Sequence, residues 1–196
     1  MINKIYNKFI YRSYIRKKLK SSGQKFRLGF HSEIHNPKFI SIGENFYSGP
    51  HTYMGTNKAN PIIIGNDVMF GAECMIIGGN HDTKYIKNHM IHNQEISSEG
   101  KPIIIENGVW IGTRSMIISG SKIGEGAVVG AMSLVNSQIP PYCIAVGIPV
   151  KVVKPRFDKR EELQQLLSNV NSKFTIEDIN SIYKRYSLPE YKTEEK

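Results

Sequence analysis

Cysteine and long apolar runs are scarce in this chain of 196 residues. Its two cysteines, Cys74 and Cys143, lie far apart, which excludes a disulfide framework and a cysteine-based zinc site. Glycine, proline or charge breaks every apolar stretch within a few residues, so we expect no membrane-spanning helix. No signal-peptide core follows the basic start, and the sequence therefore predicts a protein of the reducing cytoplasm. The length fits one domain with appendages.

Acidic residues are missing from the first part of the chain. The formal net charge is +9, and residues 1–32 hold nine lysines and arginines but no aspartate or glutamate. Residues 33–196 hold 17 basic and 17 acidic residues and are balanced. The excess charge thus belongs to an N-terminal appendage, and no aromatic-basic motif accompanies it, so we expect no nucleic-acid partner.

A period of six residues runs through the centre of the chain. The residues at this spacing are aliphatic and β-branched: Ile105, Ile111, Ile117, Ile123, Val129 and Val135. Six residues match neither a helical turn nor a plain alternating strand, but they fit short strands joined by tight corners. Three hexads make one turn of about 18 residues, and the pattern predicts an all-β solenoid of parallel strands. A β-sandwich would need hairpin turn signals at regular intervals, and the sequence shows none.

Two polar excursions interrupt the repeat. Residues 78–101 form the longer one, and residues 56–61 form a shorter one that falls one coil earlier. Long loops inside compact domains are usually functional, and solenoids carry insertions on a working face. Both excursions are therefore candidates for the functional site.

The two ends of the chain have helical patterns. Residues 2–20 place a basic residue at every fourth position beside apolar ones, which predicts a basic amphipathic helix. After Pro155, two short helices are predicted, with Asp158 and Glu161 capping the first and Thr175 and Asp178 capping the second. We divide the chain at residues 1–27, 28–154 and 155–196: the N-terminal helix, the repeat domain with its loop 78–101, and the helical tail.

Two interpretations of the basic helix remain open. Residues 1–20 either lie on an anionic membrane surface, placing the protein at the inner face of the membrane, or cap the open end of the solenoid with solvated lysines. The two interpretations are not exclusive.

Several motifs between residues 28 and 155 resemble one family, the left-handed β-helix acyltransferases with hexapeptide repeats. The matching pieces are IGNDVMFG at 64–71, GGNHD at 78–82, VWIG at 109–112, IGEGAVVGAMSLV at 123–135 and PPYCIAVGIPVKVVK at 140–154. They look most like the branch that O-acetylates sugars and polysaccharides, with xenobiotic acetyltransferases as close cousins. The resemblance implies that the solenoid is a left-handed parallel β-helix, to which the basic N-terminal helix and the short C-terminal helices predicted from the residue pattern are added.

The resemblance also implies a homotrimer with acetyl-CoA bound between coils of adjacent subunits and a histidine base on the long loop. The matching residue is His81, and imidazole is also the side chain best suited to accept a proton near neutral pH. Direct transfer to an alcohol is expected, with acetyl-CoA as cosubstrate and no metal or cofactor. Asp82 or Glu73 is expected to orient the imidazole or hold acceptor hydroxyls, and the sequence does not choose between them.

Positions matching the family's donor contacts follow from the same motifs. They are Thr113, Ala131, Asn136, Ser137, Lys151 and Lys154, of which the lysines suit the nucleotide phosphates. The expected acceptor contacts are Tyr47, Asn80, Asp82 and Tyr85. Two departures stand out: Gly49 replaces the asparagine that follows Phe-Tyr in small-saccharide acetyltransferases, and Asn136-Ser137 replaces a threonine-lysine pair.

Other side chains in the same region allow different chemistry. His89 and His92 have a metal-ligand spacing, but no third ligand type accompanies them, so a structural role is favoured. Cys74 occupies an inward position and is expected to be a buried, inert thiol. Trp110 and Tyr85 fit packing or acceptor stacking. The alternatives to sugar O-acetylation are an antibiotic acetyltransferase, a γ-carbonic-anhydrase-like zinc enzyme on the same fold, and a non-enzymatic trimeric scaffold.

Overall fold

Short strands account for most of the regular secondary structure in the computed structural model, which describes residues 10–93 and 100–192. Within those residues the strands are β1 (Ser21–Ser22), β2 (Glu33–His35), β3 (Ile40–Ile42), β4 (Tyr47–Ser48), β5 (Tyr53–Gly55), β6 (Ile62–Ile64), β7 (Met69–Phe70), β8 (Met75–Ile77), β9 (Ile103–Ile105), β10 (Trp110–Ile111), β11 (Met116–Ile118), β12 (Lys122–Ile123), β13 (Val128–Val129), β14 (Leu134–Val135), β15 (Gln138–Ile139), β16 (Cys143–Val146) and β17 (Lys151–Pro155). The helices are α1 (Arg12–Lys18), α2 (Arg160–Asn169) and α3 (Ile176–Arg185). Short 3₁₀ turns cover Pro37–Phe39 and Met90–His92.

The strands form three sheets, and the chain visits them in rotation. Sheet A has the order β1-β3-β6-β9-β12-β15, sheet B the order β17-β16-β13-β10-β7-β4, and sheet C the order β14-β11-β8-β5-β2. Neighbours pair in parallel except β16 and β17, which are antiparallel. The prediction of an all-β fold built on parallel strands is confirmed. We call three consecutive strands, one per sheet, a circuit, and the passages between sheets the AB, BC and CA corners.

Strand register reproduces the predicted repeat length where the chain has no insertion. Trp110 pairs with Val128, which lies three hexads further along the chain. Met69 pairs with Trp110 at a much larger separation in sequence, because the long loop lies between them. Tyr47 pairs with Met69 at a slightly larger separation than three hexads, because the short excursion intervenes. Both insertions therefore leave the pairing of the strands around them intact.

The every-sixth residues point inward and form the core. Ile105, Ile111 and Ile117 are almost completely buried, as is Cys74. Burial of one such isoleucine stabilises the fold by roughly 1.5–3 kcal/mol. Glycine serves the corners: a Cβ on Gly112 would lie 2.5 Å from the backbone nitrogen of Ala131 in the next circuit. Close stacking of circuits therefore requires the glycine at this corner.

The N-terminal helix packs on the first circuits. Of the predicted helix at residues 2–20, residues 2–9 lie outside the described residues, and the helix observed in the remainder is α1. Ile15 is buried in the core, and the guanidinium of Arg12 donates to the Leu28 carbonyl at 2.9 Å. Strand β1 already pairs with β3, so strand pairing starts before residue 28. The apolar side of α1 thus contacts the sheets, while Lys17 and Lys18 remain exposed.

The two C-terminal helices pack around Tyr142 at the end of the sheets. Before α3, the Thr175 hydroxyl accepts the Asp178 N–H at 3.1 Å and the Asp178 carboxylate accepts the Thr175 N–H at 2.9 Å, so that capping pair is confirmed. Before α2 the pair is displaced by one residue from the predicted Asp158 and Glu161: the Glu162 carboxylate accepts the Lys159 N–H at 3.4 Å. Among the described residues, no helix combines the length and the apolarity needed to cross a bilayer.

Candidate active site

Both excursions leave the fold at the CA corner, in neighbouring circuits. The short excursion joins β5 to β6, and the long loop joins β8 to β9. Because β5 pairs with β8 and β6 pairs with β9, the two excursions lie side by side. The structure thus brings the two predicted working segments to one place.

His81 lies four residues after the last residue of β8, and its side chain is exposed. Its backbone N–H donates to the side-chain oxygen of Asn80 at 3.0 Å, and Asn80 is also exposed. The imidazole therefore projects from the start of the long loop, where solvent and a substrate can reach it.

Asp82 shapes the turn that follows His81. Its carboxylate accepts the Lys84 N–H at 2.9 Å, and its carbonyl accepts the Tyr85 N–H at 3.3 Å. A cavity of about 480 Å³ opens beside this turn. Its lining residues are Asp82, Lys84, Tyr85, Ile86, Lys87, His92 and Asn93. Two of the predicted acceptor contacts, Asp82 and Tyr85, therefore share one cavity, and His81 lies next to it in sequence without being part of its lining.

Glu73, the other residue considered as a partner for His81, lies at the BC corner. Its carboxylate accepts a hydrogen bond from the Arg114 guanidinium at 2.8 Å. This hydrogen bond holds the pKa of Glu73 below its ordinary value, and the charges of Arg114 and His51 act in the same direction. Within one chain, Glu73 is therefore paired with Arg114 at a different corner from His81.

The predicted donor contacts divide between the two edges of sheet C. Thr113 and Ala131 stack in adjacent circuits at the BC corner, where the Met132 N–H donates to the Thr113 carbonyl at 2.9 Å. Asn136 and Ser137 join β14 to β15 at the CA corner. All four of these predicted donor residues are exposed.

The predicted phosphate contacts lie on the last strand. Lys151 and Lys154 belong to β17, which pairs with β16 at the end of sheet B, and both are exposed. Lys154 is 3.7 Å from the Asp158 carboxylate. Tyr47 also lies on sheet B, where the Arg27 guanidinium sits 5.4 Å from its ring centre. Tyr47 is therefore not brought together with Asn80, Asp82 and Tyr85 in this chain.

An apolar strip on the outer face of sheet C escaped the sequence analysis. It consists of Met75, Ile77, Met116, Ile118 and Leu134, which lie in register on three adjacent strands and keep part of their surface exposed. The signal that could have revealed the strip is the presence of apolar residues at the outward positions of the hexads, because a sheet face in contact with water usually carries polar residues at those positions. The strip joins the Thr113 edge to the Asn136 edge.

A larger cavity lies away from the predicted site. Its volume is about 650 Å³, and it separates the AB corner from helix α2, with Glu125, Tyr142 and Arg156 in its lining. None of the predicted site residues lines it. A reactive side chain is stronger evidence for an active site than the volume of a cavity. We therefore assign the candidate site to the CA corner, where His81 lies.

Thiol and metal chemistry find little support in the described parts of the chain. Burial raises the pKa of the Cys74 thiol to about 11, and the side chain has no exposed surface. The expectation of an inert thiol agrees with this environment. His89 and His92 are both exposed. Within residues 10–93 and 100–192, no three His, Cys, Asp or Glu side chains are grouped as a metal site.

Comparison with known proteins identifies the repeat. Residues 102–144 match the family model "Bacterial transferase hexapeptide (six repeats)". A chloramphenicol acetyltransferase from Klebsiella aerogenes is 42% identical over 110 residues, which cover 56% of this chain and 32% of that protein. The match spans about a third of the length of this curated relative.

Solved structures extend the similarity to most of the chain. A hexapeptide-repeat-containing acetyltransferase from Vibrio cholerae superposes with a TM-score of 0.66 at 26% identity, covering 80% of this chain and 88% of the other. The same protein is also known in complex with acetyl coenzyme A. A maltose O-acetyltransferase from Clostridium difficile 630 gives a TM-score of 0.65 at 27% identity, covering 80% and 83%. The resemblance to hexapeptide-repeat acetyltransferases is confirmed.

Proposed function

We propose that the protein is an acetyl-CoA-dependent O-acetyltransferase that modifies a sugar hydroxyl of a surface polysaccharide or its precursor. The observation that carries this proposal is the position of His81: an exposed imidazole at the root of the long loop, directly before Asp82, which lines a cavity together with mostly polar side chains. The likeness to acetyltransferase structures, one of them bound to acetyl coenzyme A, supports the donor. The coil formed by the three sheets is proposed to be a left-handed parallel β-helix.

His81 acts as general base in a direct transfer. Its imidazole takes the proton from the acceptor hydroxyl as the oxygen attacks the thioester carbonyl carbon. The tetrahedral oxyanion is stabilised by backbone N–H groups, and its collapse breaks the C–S bond. The CoA thiolate leaves and takes the proton back from the imidazolium, which yields the O-acetyl sugar and free CoA. Acetyl-CoA is a cosubstrate in this scheme, and the steps require no metal or further cofactor.

A homotrimer accounts for the division of the donor contacts. In a three-fold assembly each interface joins two different surfaces of identical subunits. The BC corner of one subunit then faces the CA corner of its neighbour, and the Thr113 and Ala131 ladder lies opposite a His81 loop. The pantetheine arm runs along these small side chains, and Lys151 and Lys154 meet the nucleotide phosphates.

The acceptor binds at the cavity beside the loop. Asn80, Asp82 and Tyr85 offer an amide, a carboxylate and an aromatic ring, the groups that hold sugar hydroxyls and stack on sugar faces. The Asp82 carboxylate already accepts one backbone N–H, which fixes its direction and leaves its second oxygen for an acceptor hydroxyl. Tyr47 contributes only if the trimer brings sheet B of a neighbour to this cavity.

The protein is proposed to act at the cytoplasmic face of the membrane. Ile15 of α1 and Leu19 at its C-terminal end are buried against the sheets, whereas Tyr14, Arg16, Lys17 and Lys18 are exposed. The proposed membrane contact of this helix is electrostatic, through the three cations. Co-sedimentation with vesicles containing phosphatidylserine tests this directly. Binding that is lost when these three residues are changed to glutamine supports the contact, and equal binding of both proteins contradicts it.

An acceptor panel tests the activity itself. The purified chain is incubated with radiolabelled acetyl-CoA and, separately, free hexoses, nucleotide sugars, de-O-acetylated surface polysaccharide and chloramphenicol. The proposal predicts transfer to a carbohydrate, and release of the label by mild alkali shows an ester rather than an amide. An alkali-stable product, or no transfer to any carbohydrate, contradicts the proposal.

An antibiotic acceptor is the second candidate. The observation that favours it is the 42% identity to a chloramphenicol acetyltransferase over the matched segment. Faster transfer to chloramphenicol than to every carbohydrate in the panel would establish this alternative, with the same role for His81.

A further inference from the structure

The entrance of the His81 loop is fixed by a serine from the next circuit. The backbone N–H of Gly79 donates to the side-chain oxygen of Ser119 at 2.8 Å. Ser119 directly follows β11 at the CA corner, 40 residues away in sequence. Gly79 has a φ of 114°, a conformation that L-residues rarely adopt, so its N–H direction is set by a glycine-specific backbone.

The exit of the loop is fixed by an asparagine from the short excursion. The backbone N–H of Lys101 donates to the side-chain oxygen of Asn60 at 3.1 Å. Asn60 is only 3% exposed, and its amide nitrogen donates to the Asn57 side-chain oxygen at 3.0 Å. That oxygen also accepts the backbone N–H groups of Ala59 and Asn60. The Asn60 side chain is therefore oriented before it meets the loop.

Both stems of the loop pack directly against the short excursion. A Cβ on Gly78 would lie 2.4 Å from the Thr56 hydroxyl oxygen, and a Cβ on Gly100 would lie 2.2 Å from the Ala59 carbonyl oxygen. The Thr56 hydroxyl in turn donates to the Asn60 carbonyl. No side chain fits between the stems of the loop and the short excursion, so the short excursion packs against both stems and holds them in place.

We propose that Ser119 and Asn60 are positioning residues for His81, an inference that rests on the proposed role of His81 as base. His81 is two residues from Gly79, so a displaced entrance stem moves the imidazole with it. Most side chains between Lys84 and His92 are exposed, whereas Gly79 and Lys101 at the two stems are held by side chains from other segments. A misplacement of about 1 Å costs up to roughly 100-fold in rate.

The test pairs kinetics with hydrogen exchange on the full-length protein. Ser119→Ala and Asn60→Ala are expected to lower kcat about 10- to 100-fold and leave KM for acetyl-CoA within about twofold of wild type. Acetyl-CoA and the best acceptor of the panel are the substrates. Amide exchange in residues 79–93 is expected to rise about 3- to 10-fold at Gly79 and its neighbours. Ser119→Thr keeps the hydroxyl, and its kcat and loop exchange are expected to stay close to those of the wild type.

Asn107→Ala is the matched control, because the Asn107 side-chain oxygen also accepts a backbone N–H from a neighbouring circuit, that of Asn66 at 2.9 Å. It lies at the AB corner, away from both the loop and the proposed donor contacts, and is expected to change neither kcat nor loop exchange. Unchanged loop exchange in Ser119→Ala and Asn60→Ala overturns the anchoring, whatever the activity. Faster exchange with unchanged kcat overturns the positioning role. A wild-type protein without acetyl transfer refutes the proposed function instead, and the exchange data then still decide the anchoring.

Discussion

Removing one hydroxyl, that of Tyr142, is expected to weaken the junction between the sheets and the C-terminal helices. Tyr142 is 1% exposed, and its hydroxyl donates to the carboxylate of Glu125, which is 7% exposed. The hydroxyl also lies 3.0 Å from the side-chain oxygen of Ser172, just before α3. Burial, together with the neighbouring carboxylate, raises the pKa of Tyr142 and keeps it protonated as a donor.

The magnitude follows from what Tyr142→Phe leaves behind. The ring and its apolar contacts stay, so the loss is the hydrogen bond to a buried carboxylate, worth about 1.5–3 kcal/mol, together with the contact to the Ser172 hydroxyl. Urea unfolding at fixed protein concentration measures the change in the free energy of unfolding. Tyr186→Phe is the control, because the Tyr186 ring is partly exposed, and a change below about 0.5 kcal/mol is expected there.

A double variant separates the hydrogen bond from general damage to the core. Combining Tyr142→Phe with Glu125→Met removes both polar partners, so its cost is expected to be smaller than the sum of the two single changes. A Tyr142→Phe cost no larger than that of Tyr186→Phe would refute this reasoning. Strictly additive costs would show that the two groups do not interact.

Three further changes test the packing and the titratable groups. Ile76→Ala, at a fully buried position, is expected to lower the free energy of unfolding by about 2–5 kcal/mol, measured in urea. Burial raises the pKa of Cys74 to about 11 and that of Cys143 to about 12. The folded state therefore retains thiol protons that the unfolded state loses, and the free energy of unfolding should fall as pH rises above 9. In unfolding measured against pH, the Cys74→Ala and Cys143→Ala variants should show a shallower loss of stability on the alkaline side. Burial opposes the ionisation of Glu106, but hydrogen bonds, chiefly from Lys173, outweigh it and lower the pKa of this carboxyl. This stabilisation is lost as pH falls below about 4.5, and Lys173→Met should show a weaker loss in acid unfolding.

The strand pattern could be predicted because a repeat imposes the same environment on every circuit. Ile111 and Ile117 meet identical surroundings one sheet apart, so their spacing alone indicates short inward-facing strands. The two excursions also stood out, because they break that spacing. The motif around His81 and the chemistry of imidazole make it the candidate base, which stays a prediction.

Contacts between distant segments could not be read from the spacing. The partner of Glu73 is Arg114, 41 residues away, because the inserted loop separates two circuits that stack directly. Ser119 and Asn60 looked like ordinary corner residues in the sequence, and only the stacking of the excursions shows that they hold the loop. The cap before α2 lies at Lys159 rather than Asp158, and the Asp158 carboxylate lies 3.7 Å from the Lys154 ammonium instead.

The apolar strip of sheet C shows a different limit. Met75 and Met116 occupy outward positions, whereas the six-residue repeat predicts only which residues point inward. Their alignment on adjacent strands depends on register, which the two insertions obscure. The apolar strip becomes evident only when strands of neighbouring circuits are aligned by their observed register.

Loss of acetyl transfer in His81→Ala tests the central claim most directly. The measurement is release of CoA thiol from acetyl-CoA in the presence of the best acceptor, compared with His89→Ala, which removes another exposed histidine of the same loop. A general base contributes about 100- to 10,000-fold, so His81→Ala should lose at least two orders of magnitude in kcat while His89→Ala retains wild-type activity. Equal turnover by wild type and His81→Ala, with both proteins folded and in the same oligomeric state, would contradict the account.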